Sequence, residues 1–273
     1  MKHFSISPAA MIGSLVRNRN LVLELAWRET VGRYKGSVMG VLWSLIIPLL
    51  MLGIYTFVFS EIFVSRWGAT VAPSKATFAV ILFAGLIIFN VFSECLVKAP
   101  NVVLSNVNFV KKVIFPLEIL PCVTVLSALF HAVVSVGVLL VFEWISMGSV
   151  PATALFAPVV MVPVVLLLLG LTWGLAAIGV YLRDVGQTVG IVVTGLMFVS
   201  PIFFPVSSFP ERWRILADLN PLTFPIEQMR SVLVIGSPLE WDGWLRYLAF
   251  TAAVAWIGFA AFQKSRRGFA DVV

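Results

Sequence analysis

The chain has 273 residues, of which 60% are apolar and only 12% charged. A soluble domain carries about a quarter charged residues, so this composition leaves too little polar surface to cover a globule in water and excludes an ordinary soluble enzyme. The formal charge of +6 gathers beside apolar stretches, which is the positive-inside bias of a membrane protein and not a nucleic-acid footprint.

Residues 8–35 read as an amphipathic helix, with Leu15, Leu21, Val22, Leu25 and Trp27 among arginines and the glutamates Glu24 and Glu29. Such a helix lies along a membrane interface, as a simple anchor or as a collar that also touches a cytoplasmic partner. This N-terminal segment, residues 1–37, has repeated arginines and no long apolar core, so no cleavable signal peptide is expected and the start is retained. Six apolar stretches follow, at residues 38–59, 78–97, 114–142, 152–181, 187–204 and 245–262. Each is near the roughly 20 residues a helix needs to cross the hydrocarbon core. Backbone at that depth has no water to satisfy it, and barrel strands would alternate, so the fold class is all-α, with a six-helix transmembrane domain over residues 38–262. The fourth stretch holds Pro158 and Pro163 and is long enough to tilt, kink or project.

Basic residues set the orientation. Lys2, Arg17, Arg19, Arg28, Arg33 and Lys35 precede the first stretch, Lys98, Lys111 and Lys112 follow the second, Arg183 follows the fourth, and Lys264, Arg266 and Arg267 lie in the tail, residues 263–273. These segments, and both termini, are assigned to the cytoplasm. The alternate connections collect Glu61, Glu143, Glu211, Asp218, Glu227, Glu240 and Asp242.

Two connections stand out. Residues 101–112 carry apolar positions spaced so that a helical turn or two could dock into a groove, although composition alone favours a solvated loop. Residues 205–244 are half apolar and broken by Pro205, Pro210, Pro221, Pro225 and Pro238, leaving two pieces of helical spacing, 211–219 and 226–234. After Ser200-Pro201-Ile202-Phe203-Phe204, these pieces suit a hairpin re-entering the outer leaflet; the alternative is a loop resting on the outer surface.

Within the stretches the ionisable residues are Glu94, Glu118 and His131. Glu94, four residues before Lys98, fits a local ion pair, and His131 a neutral hydrogen-bonded packing residue. Cys95 and Cys122 read as small packing residues. The pairs Gly36/Gly40, Gly170/Gly174 and Gly186/Gly190 permit close helix approach. Trp144, Trp241 and Trp244 suit an aromatic belt, whereas Tyr55, Phe57, Phe59, Phe89, Phe198, Phe203 and Phe204 could line a path on which sugar rings stack. The sequence has no Gly-x-x-x-x-Gly-Lys-[Ser/Thr] phosphate loop, no metal-spaced His or Cys cluster and no paired loop carboxylates, so no catalytic, cofactor-binding or metal residue is assigned and nucleotide hydrolysis belongs elsewhere.

The run Trp27-Arg28-Glu29-Thr30-Val31-Gly32-Arg33-Tyr34-Lys35-Gly36-Ser37-Val38-Met39-Gly40, followed by Pro48, resembles the membrane subunit of ABC type-2 polysaccharide exporters, above all O-antigen permeases of the Wzm type, with capsule and teichoic-acid permeases as relatives. Phe109-Val110-Lys111-Lys112-Val113-Ile114-Phe115-Pro116, Tyr181-Leu182-Arg183-Asp184, Ser200-Pro201-Ile202-Phe203, Asn220-Pro221-Leu222 and Gly268-Phe269-Ala270-Asp271 carry the likeness almost end to end. The resemblance implies a homodimer in a bacterial inner membrane, joined to two copies of a separate ATPase that holds ATP and Mg, and exporting polyprenyl-diphosphate-linked polysaccharide. It implies ATPase coupling through Asn101, Ser105, Asn106, Phe109, Lys111 and Lys112, and an outer gate over residues 205–244. Arg28, Arg33 and Lys35 are candidates to meet a lipid diphosphate or phospholipid headgroups, and Tyr55, Phe59, Phe198, Phe203 and Phe204 to form the glycan conduit. A small lipid or drug on the same scaffold, a secondary transporter and a membrane enzyme of glycan synthesis are the alternatives.

Overall fold

The computed structural model describes residues 5–58, 75–110 and 115–272. Among them there is no strand, and the helices run α1 (Pro8–Arg17), α2 (Arg19–Gly32), α3 (Trp43–Phe57), α4 (Lys75–Lys98), α5 (Val107–Val110), α6 (Leu120–Met147), α7 (Ala157–Tyr181), α8 (Val185–Val199), α9 (Arg214–Leu219), α10 (Thr223–Arg230), α11 (Trp241–Ser265) and α12 (Phe269–Val272). Five segments are long and apolar enough to cross a membrane: Gly40–Phe57, Ala76–Asn101, Leu117–Met147, Ala152–Tyr181 and Trp241–Gly268. The fold is therefore that of a multi-pass all-α membrane protein.

Two sequence expectations change. The N-terminal amphipathic segment is two helices, because Asn18 leaves the helical path at φ −101°, ψ 13° and its side-chain amide donates to the Ser14 carbonyl. Part of its apolar surface packs on the bundle, since Val22, Leu25 and Ala26 are buried and α2 packs against α6, while Ile12, Val16, Leu23 and Trp27 stay exposed. The fifth apolar stretch ends early: α8 has 15 residues, about 22 Å at 1.5 Å each, short of the roughly 30 Å hydrocarbon core. Ser200 stops it in extended backbone, as a residue before proline favours.

Helix α4 forms the centre, with 78% of its most apolar window buried and α3, α6, α7, α8 and α10 around it. That surround explains why its sequence is apolar on nearly every face. Lipid tails are as apolar as these side chains, so close packing and hydrogen bonds hold the bundle more than transfer from water does. Helices α7 and α11 show it best, for a Cβ on Gly170 would come within 2.5 Å of the Val254 carbonyl oxygen, and Gly258 faces Gly170. The other paired glycines act differently: Gly174 and Gly190 face open space, and Gly36 and Gly40 take positive φ, 89° and 53°, in the turn before α3. Trp244 does not simply sit in a belt, since its Nε1 donates to the Val159 carbonyl at 2.9 Å and pins α11 to α7. Cys95 and Cys122 are buried and unpaired, as packing residues are.

Candidate functional site

The end of the bundle that holds Lys98 and Arg266 carries a network of ionisable side chains. Arg33 Nη1 and Lys98 Nζ each donate to Glu94 Oε1 at 3.0 Å, and Lys98 Nζ also donates to Glu29 Oε1 at 3.0 Å. His131 Nδ1 lies 3.1 Å from Glu94 Oε2, and its Nε2 lies 3.1 Å from the Tyr34 hydroxyl. His131 Nδ1 also lies 3.0 Å from Arg33 Nη1, so that one ring nitrogen meets a guanidinium donor and a carboxylate acceptor together. Burial pushes the Tyr34 phenol above its ordinary value, which keeps its proton in place. The local Glu94–Lys98 pair read from the sequence is present, and His131 is hydrogen-bonded as expected. The sequence does not reveal the partners from α2, which lie far away along the chain.

The segment after α4 is built from single helical turns, Ala99–Asn101, Leu104–Asn106 and α5, and not from a solvated loop. Val102 and Val103 are buried, and a Cβ on Gly179 would lie 2.6 Å from the Pro100 Cα, so α7 seats the first turn. The Ser105 hydroxyl donates to the Asn101 carbonyl at 2.8 Å and the Asn106 amide to the Val102 carbonyl at 2.9 Å. These side chains spend donors on shaping the turns, while Asn101 and Ser105 remain exposed. Phe109 stacks on Phe115, centroids 4.2 Å apart and planes 5° from parallel. Lys111 and Lys112 lie outside the described residues. Between this segment and α2 runs a cleft of about 530 Å³, lined by Arg28, Glu29, Lys98, Asn101, Ser105 and Phe109 among others.

Arg28 and Arg33 do not share a site. Five residues apart on a helix of 3.6 residues per turn, they point about 140° apart. Arg28 faces the cleft by the segment after α4, Arg33 faces a second groove between α3, α4 and α6, and Lys35 is exposed in the turn beyond α2. The second groove holds about 640 Å³. Its polar wall joins Arg33 to Asn90, Ser93, Glu94, His131 and Ser135, and its apolar wall is formed by Ile47, Met51, Tyr55 and Phe83. In the last third of α4 polar residues fall at 90, 93, 94 and 98, one helical stripe. A polar stripe inside an apolar span marks a water-lined path or a packed polar interface, and sequence reading confined to ionisable residues passed over it.

The same end is braced by Glu118. Its Oε2 pairs with Arg266 Nη1 at 2.6 Å, its Oε1 accepts from Ser14 Oγ at 2.8 Å, and its backbone carbonyl accepts from Trp173 Nε1 at 2.9 Å. One residue thus ties α1, α7 and the C-terminal segment to the start of α6.

At the opposite end, the 205–244 connection is partly core. Thr223–Arg230 and the π turn Ser231–Ile235 replace the second predicted piece, and Leu222, Ile226 and Met229 are fully buried. Arg230, only 2% exposed, donates from Nε to the Ile81 carbonyl at 3.0 Å and from Nη1 and Nη2 to the carbonyls of Pro201 and Ile202. Gly85 makes the room, since a Cβ there would lie 2.8 Å from Arg230 Nη2. Asn220 Nδ2 donates to Ser200 Oγ at 2.8 Å and its Oδ1 accepts from the Leu222 N–H at 2.9 Å, so with Arg230 side chains satisfy the backbone where α8 breaks. Arg230 is a residue the sequence reading missed; a lone arginine closing an apolar piece was the available signal. The first piece is Arg214–Leu219, and its Ile215, Leu216 and Leu219 are exposed.

The conduit candidates divide. Tyr55 lines the groove of Arg33, Phe59 lies outside the described residues, and Phe198 and Phe203 stack at 6.5 Å where α8 ends. Phe204 meets Phe209 edge to face at 5.0 Å.

Comparison with known proteins places this architecture. Over 270 residues the chain is 25% identical to the O-antigen export system permease protein RfbA of Myxococcus xanthus, covering 96% of this chain and 99% of that protein. The O-antigen export system permease protein RfbA of Klebsiella pneumoniae is 23% identical over 93% of this chain and 95% of its own length. The polysialic acid transport protein KpsM of Escherichia coli is 25% identical over 86% of this chain and 90% of its own length. Residues 20–234 match the family described as ABC-2 type transporter, and the chain belongs to that family.

Proposed function

We propose that this chain is the permease subunit of an ATP-driven exporter that moves polyprenyl-diphosphate-linked polysaccharide, O-antigen above all, from cytoplasm to periplasm. The observation that carries this reading is the nearly end-to-end correspondence with a permease named for O-antigen export. The groove beside Arg33 supports it, because a polar wall that holds a half-exposed arginine and faces an apolar wall suits a lipid whose charged head meets a hydrocarbon tail. In this arrangement α8 serves as the fifth of six passes, both termini are cytoplasmic, and the segments from Pro201 to Ile235 form a re-entrant gate in the outer leaflet of a bacterial inner membrane.

Two copies pack through the exposed apolar faces of α3 and α8, with the path between them. Residues 101–112 seat on each of two ATPase subunits, which hold ATP and Mg. Arg33 meets the diphosphate, while Arg28, in the other cleft, and the exposed Lys35 meet phospholipid headgroups; Tyr55, Phe198, Phe203 and Phe204 offer faces on which sugars stack while sliding. The relative named for polysialic acid transport favours a second reading, a capsule-type acidic polysaccharide as cargo. The test is complementation of a host lacking its own O-antigen permease, with the genomically adjacent ATPase co-expressed. Surface glycan restored by the pair, and by neither chain alone, is expected; lipid-linked glycan trapped inside in every case contradicts the proposal.

A further inference from the structure

Lys98 is a shared cation. It bonds Glu94 on its own helix and Glu29 on α2 at the same 3.0 Å distance, while Arg33 claims the same oxygen of Glu94. The four formal charges of Glu29, Glu94, Arg33 and Lys98 cancel, so removing one partner leaves a charge to be met from within the set. Arg33 is the member most open to a ligand: its side chain is 44% exposed, against 35% for Lys98, 31% for Glu29 and 13% for Glu94. Its guanidinium carries five N–H donors in all, and its Nη1 is shared between Glu94 Oε1 and His131 Nδ1, each at 3.0 Å. Lys98 closes α4 and stands directly before the turn that α7 clamps through Gly179, from which the coupling segment continues.

We propose that Glu29, Arg33, Glu94 and Lys98 form an ion-pair relay that reports an anionic lipid phosphate at Arg33 to the coupling segment. The inference rests on the reading that Arg33 meets the lipid diphosphate. A phosphate group takes Arg33 in charge-assisted bonds and so competes with Glu94. Glu94, held by His131 at its other oxygen, is left with Lys98 as its counter-charge and draws it from Glu29. α2 then loses its ion pair to the end of α4, and the turn leading to the coupling segment is freed on that side. A ligand shifts such an equilibrium only by its differential affinity for the two arrangements, and here the difference is the Arg33–Glu94 pair, kept in one and exchanged for phosphate in the other. By reciprocity, releasing Lys98 from Glu29 beforehand must favour lipid binding. Glu94 and Glu29 are positioning residues in this scheme; neither touches the lipid.

The experiment uses the complex with its ATPase in lipid nanodiscs, with a polyprenyl diphosphate as probe. Lipid affinity is measured together with ATP hydrolysis, expressed as the ratio of lipid-stimulated to each variant's own basal rate. E94Q removes the competing charge and E29Q, on α2, removes the second anchor of Lys98 without altering the carboxylate beside Arg33. Each is expected to bind the probe about fivefold tighter, at the lower end of typical coupling between sites, with the stimulation ratio falling toward one. A purely structural role would weaken binding or leave it alone. R33Q is expected to weaken binding. If both glutamine variants keep wild-type affinity, or tighten binding and keep full stimulation, while R33Q binds weakly, the relay is overturned and the lipid site at Arg33 stands. If R33Q binds as wild type, the lipid site fails and the relay with it.

Discussion

Gly179 on α7 meets Pro100 so closely that a Cβ at 179 would overlap the proline backbone, 2.6 Å from its Cα. The contact holds the first turn of the proposed coupling segment against a long helix, which gives that segment a rigid seat. Gly179→Ala should displace that turn, with an overpacking cost of about 1–3 kcal/mol. Gly174→Ala, where nothing lies within 4 Å, serves as the control. Thermal unfolding in detergent and co-purification with the ATPase should separate the two, with loss in the first variant alone; equal behaviour would remove this seat from the coupling account.

Arg230 satisfies carbonyls of Ile81, Pro201 and Ile202 at once. Arg230→Met strips those donors, and each buried carbonyl left unsatisfied costs about 1–3 kcal/mol. The outer connection should loosen from α4. A cysteine at Ile202, buried in the native fold, is expected to react slowly with a membrane-impermeant thiol reagent and at least several-fold faster in the Arg230→Met background. Cys95 and Cys122 are buried and should add little background. Unchanged labelling would mean that packing alone holds the connection.

Glu118 and Arg266 are paired at 2.6 Å with side chains only 11% and 13% exposed. Removing one partner strands a buried charge, which costs about 3–5 kcal/mol. Arg266→Gln should therefore lower the thermal midpoint more than Glu118→Gln with Arg266→Gln together. If the double variant is the less stable of the two, the pair is not the brace described.

Phe109 presents a ring stacked on Phe115 beside the cleft under α2. With this turn seated on the ATPase as proposed, Phe109→Asp should put an unpaired charge into the joint and uncouple hydrolysis from export while the membrane helices stay folded. Normal assembly with normal export would take this turn out of the interface.

Long-range partnership separates what the sequence discloses from what it hides. The fourth apolar stretch, 152–181, coincides with the span Ala152–Tyr181, because apolar continuity is a local property that sets helix extent directly. The end of α8 is not set by hydropathy, which runs on through Ser200-Pro201, but by the backbone preference that stops the helix there. Lys98 aside, the partners of Glu94 are Arg33 at the end of α2 and His131 on α6, and those of Arg230 lie 28 to 149 residues away, so no periodicity can find them. Glycine spacing fared similarly, since whether Gly170 or Gly174 forms a contact depends on where α11 lies.

Transport by purified components tests the central claim most directly. Proteoliposomes holding this chain and its ATPase, supplied on the outside with a polyprenyl-diphosphate-linked glycan, should move the glycan into the lumen, where an added glycosidase cannot reach it. The account predicts protection that requires both chains and hydrolysable ATP with Mg. Glycan that stays fully accessible to the glycosidase, or that becomes protected under an ion gradient with the ATPase absent, would contradict it.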